Sequence, residues 1–181
     1  MNITGGKFNS RKVTAPDSDK VRPTLSKIRA SIFNMLSSLI KFEESKFLDA
    51  FSGSGIISLE AVSRGFLKVV LIEKDYKTAK IIKENYAQLG LTPDLIIKDT
   101  LTALEKTEDK FDVIYIDPPY KNTELYNKTL ELIAKKEILT QKGIFITESQ
   151  KGIEYTVPSV FSKFKEKTYG DTVIRFFKYK I

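Results

Sequence analysis

Five short apolar runs, at residues 46–51, 69–73, 95–97, 111–116 and 143–148, alternate with stretches whose apolar residues recur every three or four positions. The runs read as strands and the intervening stretches as helices. A helix between successive strands carries the chain back along the sheet. The expected fold is therefore α/β, a mainly parallel sheet with helices on both faces. Helices are expected over 56–63, 76–89, around 101–104 and over 123–136, with Gly65 and Gly90 ending two of them. Upstream, 2–15 reads as a small β-hairpin, and Arg22-Pro23-Thr24 opens a helix that Thr24 can cap. Leu25, Ile28, Ile32, Leu36 and Leu39 form its apolar stripe, and Lys27 and Arg29 are expected off that stripe, facing solvent or a ligand. Downstream, 163–167 and 173–178 read as strands joined at Gly170-Asp171.

The chain has 181 residues, enough for one domain with a substantial core. It has no Cys and no His. Thiolate nucleophiles, Cys-based zinc sites and the commonest general base are thereby excluded, and no metal is expected. Any chemistry must use carboxylates, hydroxyls, amines, the backbone or a cofactor. No apolar run reaches membrane-spanning length and no signal-peptide pattern opens the chain, so a cytoplasmic location is expected. The net charge is +7, and residues 1–46 hold nine basic against four acidic groups. Such a cluster favours a polyanion partner.

The strand at 111–116 ends in Asp117-Pro118-Pro119-Tyr120. The prolines fix two φ angles and keep a helix from starting at once. A stiff lip results at the strand's carboxyl end, where parallel α/β sheets bind ligands. Its carboxylate and backbone carbonyls are acceptors suited to a planar –NH2 group, and Tyr120 offers a face for a base to stack on.

Acids also follow the three earlier strands: Asp49, Glu73 and Asp99. After the first comes Ser52-Gly53-Ser54-Gly55. Gly53 and Gly55 permit a tight turn and close ligand approach. Glu73 can accept both hydroxyls of a ribose, Asp99 an adenine amino group, and Asp49 a cationic amine. A dinucleotide fingerprint would place a third glycine where Ser58 stands. S-adenosylmethionine, which has adenine, ribose and an amino-acid tail but no phosphate, fits the set better.

These residues resemble class I S-adenosylmethionine-dependent methyltransferases, with their Rossmann-like sheet. More narrowly they resemble the bacterial RsmD type, which methylates the exocyclic N2 amine of a guanine in 16S ribosomal RNA. The matching pieces include Ile3-Thr4-Gly5-Gly6-Lys7, Arg22-Pro23-Thr24, Leu48-Asp49-Ala50-Phe51-Ser52-Gly53-Ser54-Gly55, Leu59-Glu60-Ala61, Glu73-Lys74-Asp75, Asn85 and the lip.

The resemblance implies seven strands in the order 3-2-1-4-5-7-6, the seventh antiparallel. It implies a methyltransferase domain over 41–181 and an N-terminal hairpin and helix extension over 1–40 that helps to hold RNA. It implies cofactor contacts at Asp49, Phe51, Gly53, Gly55, Glu73, Asp99 and Asp117. Asp117, Pro118, Pro119 and Tyr120 would hold the amine, and Arg11, Lys12, Arg22 and Arg29 would grip phosphates. The expected partner is 16S ribosomal RNA within a small-subunit particle, bound by a monomer without metal or membrane. Adenine-N6 methylation of DNA uses the same lip and stays open, as does a basic RNA-binding scaffold that keeps the fold without activity.

Overall fold

The computed structural model describes residues 1–15, 25–119 and 122–180. Arg22, the Thr24 cap and Tyr120 lie outside the described residues. Helix α1 spans Ser26–Ser37. Strands and helices then alternate: β1 Lys46–Asp49, α2 Ile56–Ser63, β2 Lys68–Glu73, α3 Tyr76–Ala87, β3 Asp94–Ile97, α4 Thr100–Lys106, β4 Phe111–Ile116 and α5 Thr123–Lys135. Strands β5 Leu139–Gln150, β6 Phe161–Tyr169 and β7 Thr172–Tyr179 close the chain. The sheet has the order β3-β2-β1-β4-β5-β7-β6. Strands β1 to β5 pair in parallel, and β7 runs antiparallel to both its neighbours. This is the seven-stranded, Rossmann-like arrangement that the resemblance implies.

The runs are apolar on both faces because helices cover both. Phe47, Leu71, Val113, Tyr115 and Ile146 face α1, α2 and α3 in one cluster. Leu48, Val70, Ile114, Ile116 and Phe145 alternate with them and pack with residues of α4 and α5. From β1 the chain winds outward through β2 to β3, then returns to lay β4 on β1's other edge. The strand order reverses there, which opens a crevice at the carboxyl ends of β1 and β4.

The N-terminal segment differs from the expected hairpin: it makes a single antiparallel bridge, Asn2 to Lys12, and otherwise turns. It is fastened to α2. Lys7 N–H donates to the Ser63 carbonyl at 2.7 Å, and Ser63 Oγ donates to the Gly5 carbonyl at 2.6 Å. Gly6 has φ +76°, and a Cβ there would sit 1.9 Å from the Ser63 carbonyl oxygen. Glycine is required by both counts. Ile3 and Val13 join the same apolar cluster as α1, so this segment shares the core of the sheet.

Two sequence expectations for α1 need correction. Leu25 and Leu39 fall on its stripe, yet they are 60% and 48% exposed because the helix runs only from Ser26 to Ser37. Arg29 does not face solvent; it is 1% exposed. It lies four residues before Phe33, which is also buried, so the inward stripe is wide enough to include it. Its guanidinium pairs with Glu60 of α2 at 3.0 Å and donates to the Asn2 carbonyl at 2.6 Å. A phosphate grip by Arg29 is thereby removed.

Candidate active site at the carboxyl edge of the sheet

The turn after β1 is tied to the other elements of the crevice. Ala50 N–H donates to the Tyr115 carbonyl of β4 at 3.0 Å, and Ser52 N–H to the Ile72 carbonyl of β2 at 3.0 Å. Thr100 Oγ1 of α4 donates to the Ala50 carbonyl at 2.8 Å. Gly53 and Gly55 have φ of 51° and 75°. Gly55 caps α2, and a Cβ there would press on Ile82 of α3 at 3.3 Å. The backbone therefore stays low over the first turn of α2, as close ligand approach demands.

Asp49 ends β1 fully buried, 1% exposed. Ser58 Oγ donates to its Oδ2 at 2.6 Å. Its Oδ1 is buried without a hydrogen-bond partner among the described residues, and so is the Tyr86 hydroxyl of α3. Burial, with the Glu73 charge behind it, pushes the Asp49 carboxyl up to about 7, against the Ser58 bond. Burial and then the Asp49 charge push the Tyr86 phenol up as well. An orphan carboxylate oxygen is costly unless something arrives to meet it. The serine that spoils a dinucleotide fingerprint is thus the one that holds Asp49.

Glu73 is oriented by backbone. Gly53 N–H donates to its Oε2 at 3.0 Å and Asp75 N–H to its Oε1 at 2.9 Å. Asp99 is exposed and caps α4, accepting from Leu101 N–H at 3.0 Å and Thr102 N–H at 3.3 Å. Phe51 is half-buried and packs toward α4 and α5.

The lip follows β4. Asp117 is half-buried, Pro118 buried and Pro119 exposed. Withdrawal from water raises the Asp117 carboxyl well above the usual carboxylate range, and the Glu148 and Asp49 charges raise it further. Glu148 stands near the carboxyl end of β5. Ile116 is in register with Thr147, so Asp117 and Glu148 are the next residues on neighbouring strands and share the face of α1 to α3. The Tyr115 hydroxyl donates to Glu148 Oε2, and the Tyr126 hydroxyl of α5 donates to the Glu148 carbonyl.

The structure brings Asp49, Gly53, Gly55, Glu73 and Asp117 to one crevice. Arg11 and Lys12 are exposed on the N-terminal segment. Among the described residues, no acidic cluster stands close enough to hold a metal ion. Sequence reasoning missed Glu148 and Tyr115. The signal was there, because an acid stands at or near the tip of each earlier strand, and Glu148 closes the fifth run in the same way. It also left Asn85 without a role. Buried in α3, Asn85 donates to the Thr14 carbonyl at 2.9 Å and the Ser54 carbonyl at 3.2 Å, joining the N-terminal segment to the glycine turn.

A family model described as Conserved hypothetical protein 95 matches residues 1–178. The Ribosomal RNA small subunit methyltransferase D of Buchnera aphidicola (Acyrthosiphon pisum) is 34% identical over 91% of this chain and 86% of its own length. The chain belongs to the RsmD-type family of class I methyltransferases. The Escherichia coli K12 relative with the same name is 29% identical over 98% of this chain and 89% of its own length. Among solved structures, Escherichia coli yhhF, named as a candidate methyltransferase, superimposes with a TM-score of 0.87 at 26% identity. That match covers 100% of this chain and 98% of the other. Membership of this family makes the crevice between β1 and β4 the place to look for methyl transfer. No helix of the described residues is long and apolar enough to cross a membrane.

Proposed function

We propose that the protein transfers a methyl group from S-adenosylmethionine to the exocyclic N2 amine of a guanine in 16S ribosomal RNA. One observation carries this reading. A buried acid with an unpartnered oxygen, Asp49, lies on the strand beside the one that ends in the amine-accepting lip. A cationic donor on one side and an amine on the other would then meet across a single crevice. A scaffold without activity gains nothing from an orphaned carboxylate oxygen in its core.

The residues fit the cofactor. Asp49 Oδ1 would accept from its α-amine. Glu73, already aimed by Gly53 and Asp75, would accept from its ribose hydroxyls. Asp99 and Phe51 would flank the adenine side, with Gly53 and Gly55 leaving room for the chain. S-adenosylmethionine supplies a methyl activated on a sulfonium centre.

The chain's own contribution is orientation and charge. Asp117 and the Pro118 carbonyl would accept the two N–H bonds of the amine, fixing its lone pair toward the methyl. Alignment of this kind can contribute about 7–11 kcal/mol. As the nitrogen turns tetrahedral its N–H groups become more acidic, so these acceptors hold the transition state more strongly than the ground state. The released proton passes to Asp117 or to water, and no His is needed. Tyr120 would stack on the base, which must first leave its helix or lie in an open loop.

Arg11 and Lys12, with Arg22, would grip phosphates, giving salt-dependent binding by a monomer in the cytoplasm. Shared names support the RNA partner: the Buchnera and Escherichia coli relatives are named for small-subunit ribosomal RNA. The test is mass spectrometry of 16S ribosomal RNA from cells lacking this protein. One N2-methylguanine should disappear and return on complementation. An unchanged methylation pattern would overturn the reading.

A further inference from the structure

Glu148 lies beside the amine-accepting lip but has no part in the proposed transfer. It adjoins Asp117 across the β4–β5 pair, at strands about 4.8 Å apart. Glu148 is only half-buried. Two tyrosines fix it, Tyr115 through the carboxylate and Tyr126 through the backbone carbonyl. A carboxylate can accept several hydrogen bonds, and the bond from Tyr115 aims this one. Two acids side by side in a partly dry site repel each other, which is one reason Asp117 is hard to ionise. A ligand that brings N–H donors to both would relieve the repulsion.

The bases with exocyclic amines differ in what flanks that amine. Adenine N6 lies next to the N1 lone pair, and cytosine N4 next to the N3 lone pair. Guanine N2 alone lies next to a donor, N1–H. We infer that Glu148 is the residue that selects guanine, accepting N1–H while Asp117 accepts from N2. Adenine or cytosine in the same pose would press a ring lone pair against the carboxylate. This inference rests on the amine-methylation reading above and adds the identity of the base to it. The Tyr115 hydroxyl serves as a positioning group, holding Glu148 level with Asp117.

The test uses small-subunit particles reconstituted with ribosomal RNA carrying guanine or 2-aminopurine at the methylated position. 2-Aminopurine keeps the N2 amine but replaces N1–H with a lone pair. The wild-type protein should favour guanine by about 100-fold or more in kcat/KM, since a site built around a substrate N–H rejects analogues lacking it. Glu148→Gln keeps a carbonyl for Tyr115 and turns an N–H toward the ring. It should narrow the preference at least about tenfold, with S-adenosylmethionine affinity by calorimetry unchanged. Equal losses on both substrates would reduce Glu148 to an anchor for Tyr115 and overturn the inference. Equal use of both substrates by the wild type would overturn it without any variant. Failure of the wild type to methylate even the guanine particle would instead bring down the transfer reading on which it stands.

Discussion

Charged side chains are buried in two regions of this molecule, and they are treated in opposite ways. Under the N-terminal segment, Glu60 is 0% exposed and meets a cation on either side, Arg29 at 3.0 Å and Arg64. Thr4 N–H and hydroxyl complete its shell. At the carboxyl edge of the sheet, withdrawal from water raises the proton affinity of Asp49 and Asp117, the Glu73 charge adding to it at Asp49 and the Glu148 and Asp49 charges at Asp117. The first cluster is satisfied and does a structural job: it ties α1, α2 and the N-terminal segment together. In the second, Asp49 Oδ1 has no hydrogen-bond partner among the described residues, which is expected where a positively charged or N–H-rich ligand must complete the site. Burial alone therefore distinguishes nothing; partnership does.

The largest expected effect breaks the satisfied cluster. Glu60→Ala takes the carboxylate away from the buried Arg29 and should cost about 3–5 kcal/mol of stability. A fall in Tm of roughly 10 °C by calorimetry corresponds to this in a chain of this size. A loss under about 1 kcal/mol would mean the pair is solvated and the contrast false. Asp117→Ala, at the carboxyl edge, should leave the fold intact and lower methyl transfer about 100- to 1,000-fold, with S-adenosylmethionine affinity changed far less. Single-turnover rates alongside calorimetry separate the two, and unchanged turnover removes Asp117 from the chemistry. Glu73→Ala reverses the emphasis: cofactor affinity should weaken by about 1.5–3 kcal/mol, the range for a charged acceptor. Full affinity in that variant would mean its carboxylate serves only Gly53 and Asp75.

The contrast also explains what could be read from the sequence. The sheet was legible because its strands are apolar on both faces and its helices carry clear stripes. The crevice was legible because acids and glycines at strand tips have few other reasons to recur. Arg29 was misread because a buried cation looks like a surface cation until its partner is found, and Glu60 is thirty-one positions away. A clue lay in α2, IISLEAVS, where a lone acid sits in a helix buried on nearly every side. Such an acid needs a cation from elsewhere. Glu148 went unassigned because it closes a strand whose neighbour, β4, already carried the lip. Only the register of that pair puts the two acids level. The N-terminal motif also has a structural part that the sequence did not reveal: Gly5, Gly6 and Lys7 all engage Ser63 or Arg64 through close contact or backbone hydrogen bonds.

The gentlest test sharpens the comparison through pH. Asp49 ordinarily titrates at 3.8, and in the folded chain near 7. Between those values the native state binds more protons than the unfolded chain. Stability must then fall as pH rises from about 4 to about 7 and level off above. Asn at this position can still accept from Ser58 but has no charge to bury. Asp49→Asn should therefore match the wild type near pH 4 and be the more stable of the two near pH 8. The cofactor's cationic amine reverses the sign for binding. It needs the ionised carboxylate, so wild-type affinity for S-adenosylmethionine should rise as pH climbs through 7, while the Asn variant binds weakly with little pH dependence. Denaturant titrations and calorimetry at about pH 5 and about pH 8 read both effects. A wild type as stable at the higher pH as its Asn variant would show that Asp49 is already satisfied, like Glu60, and that the crevice needs no cation to complete it.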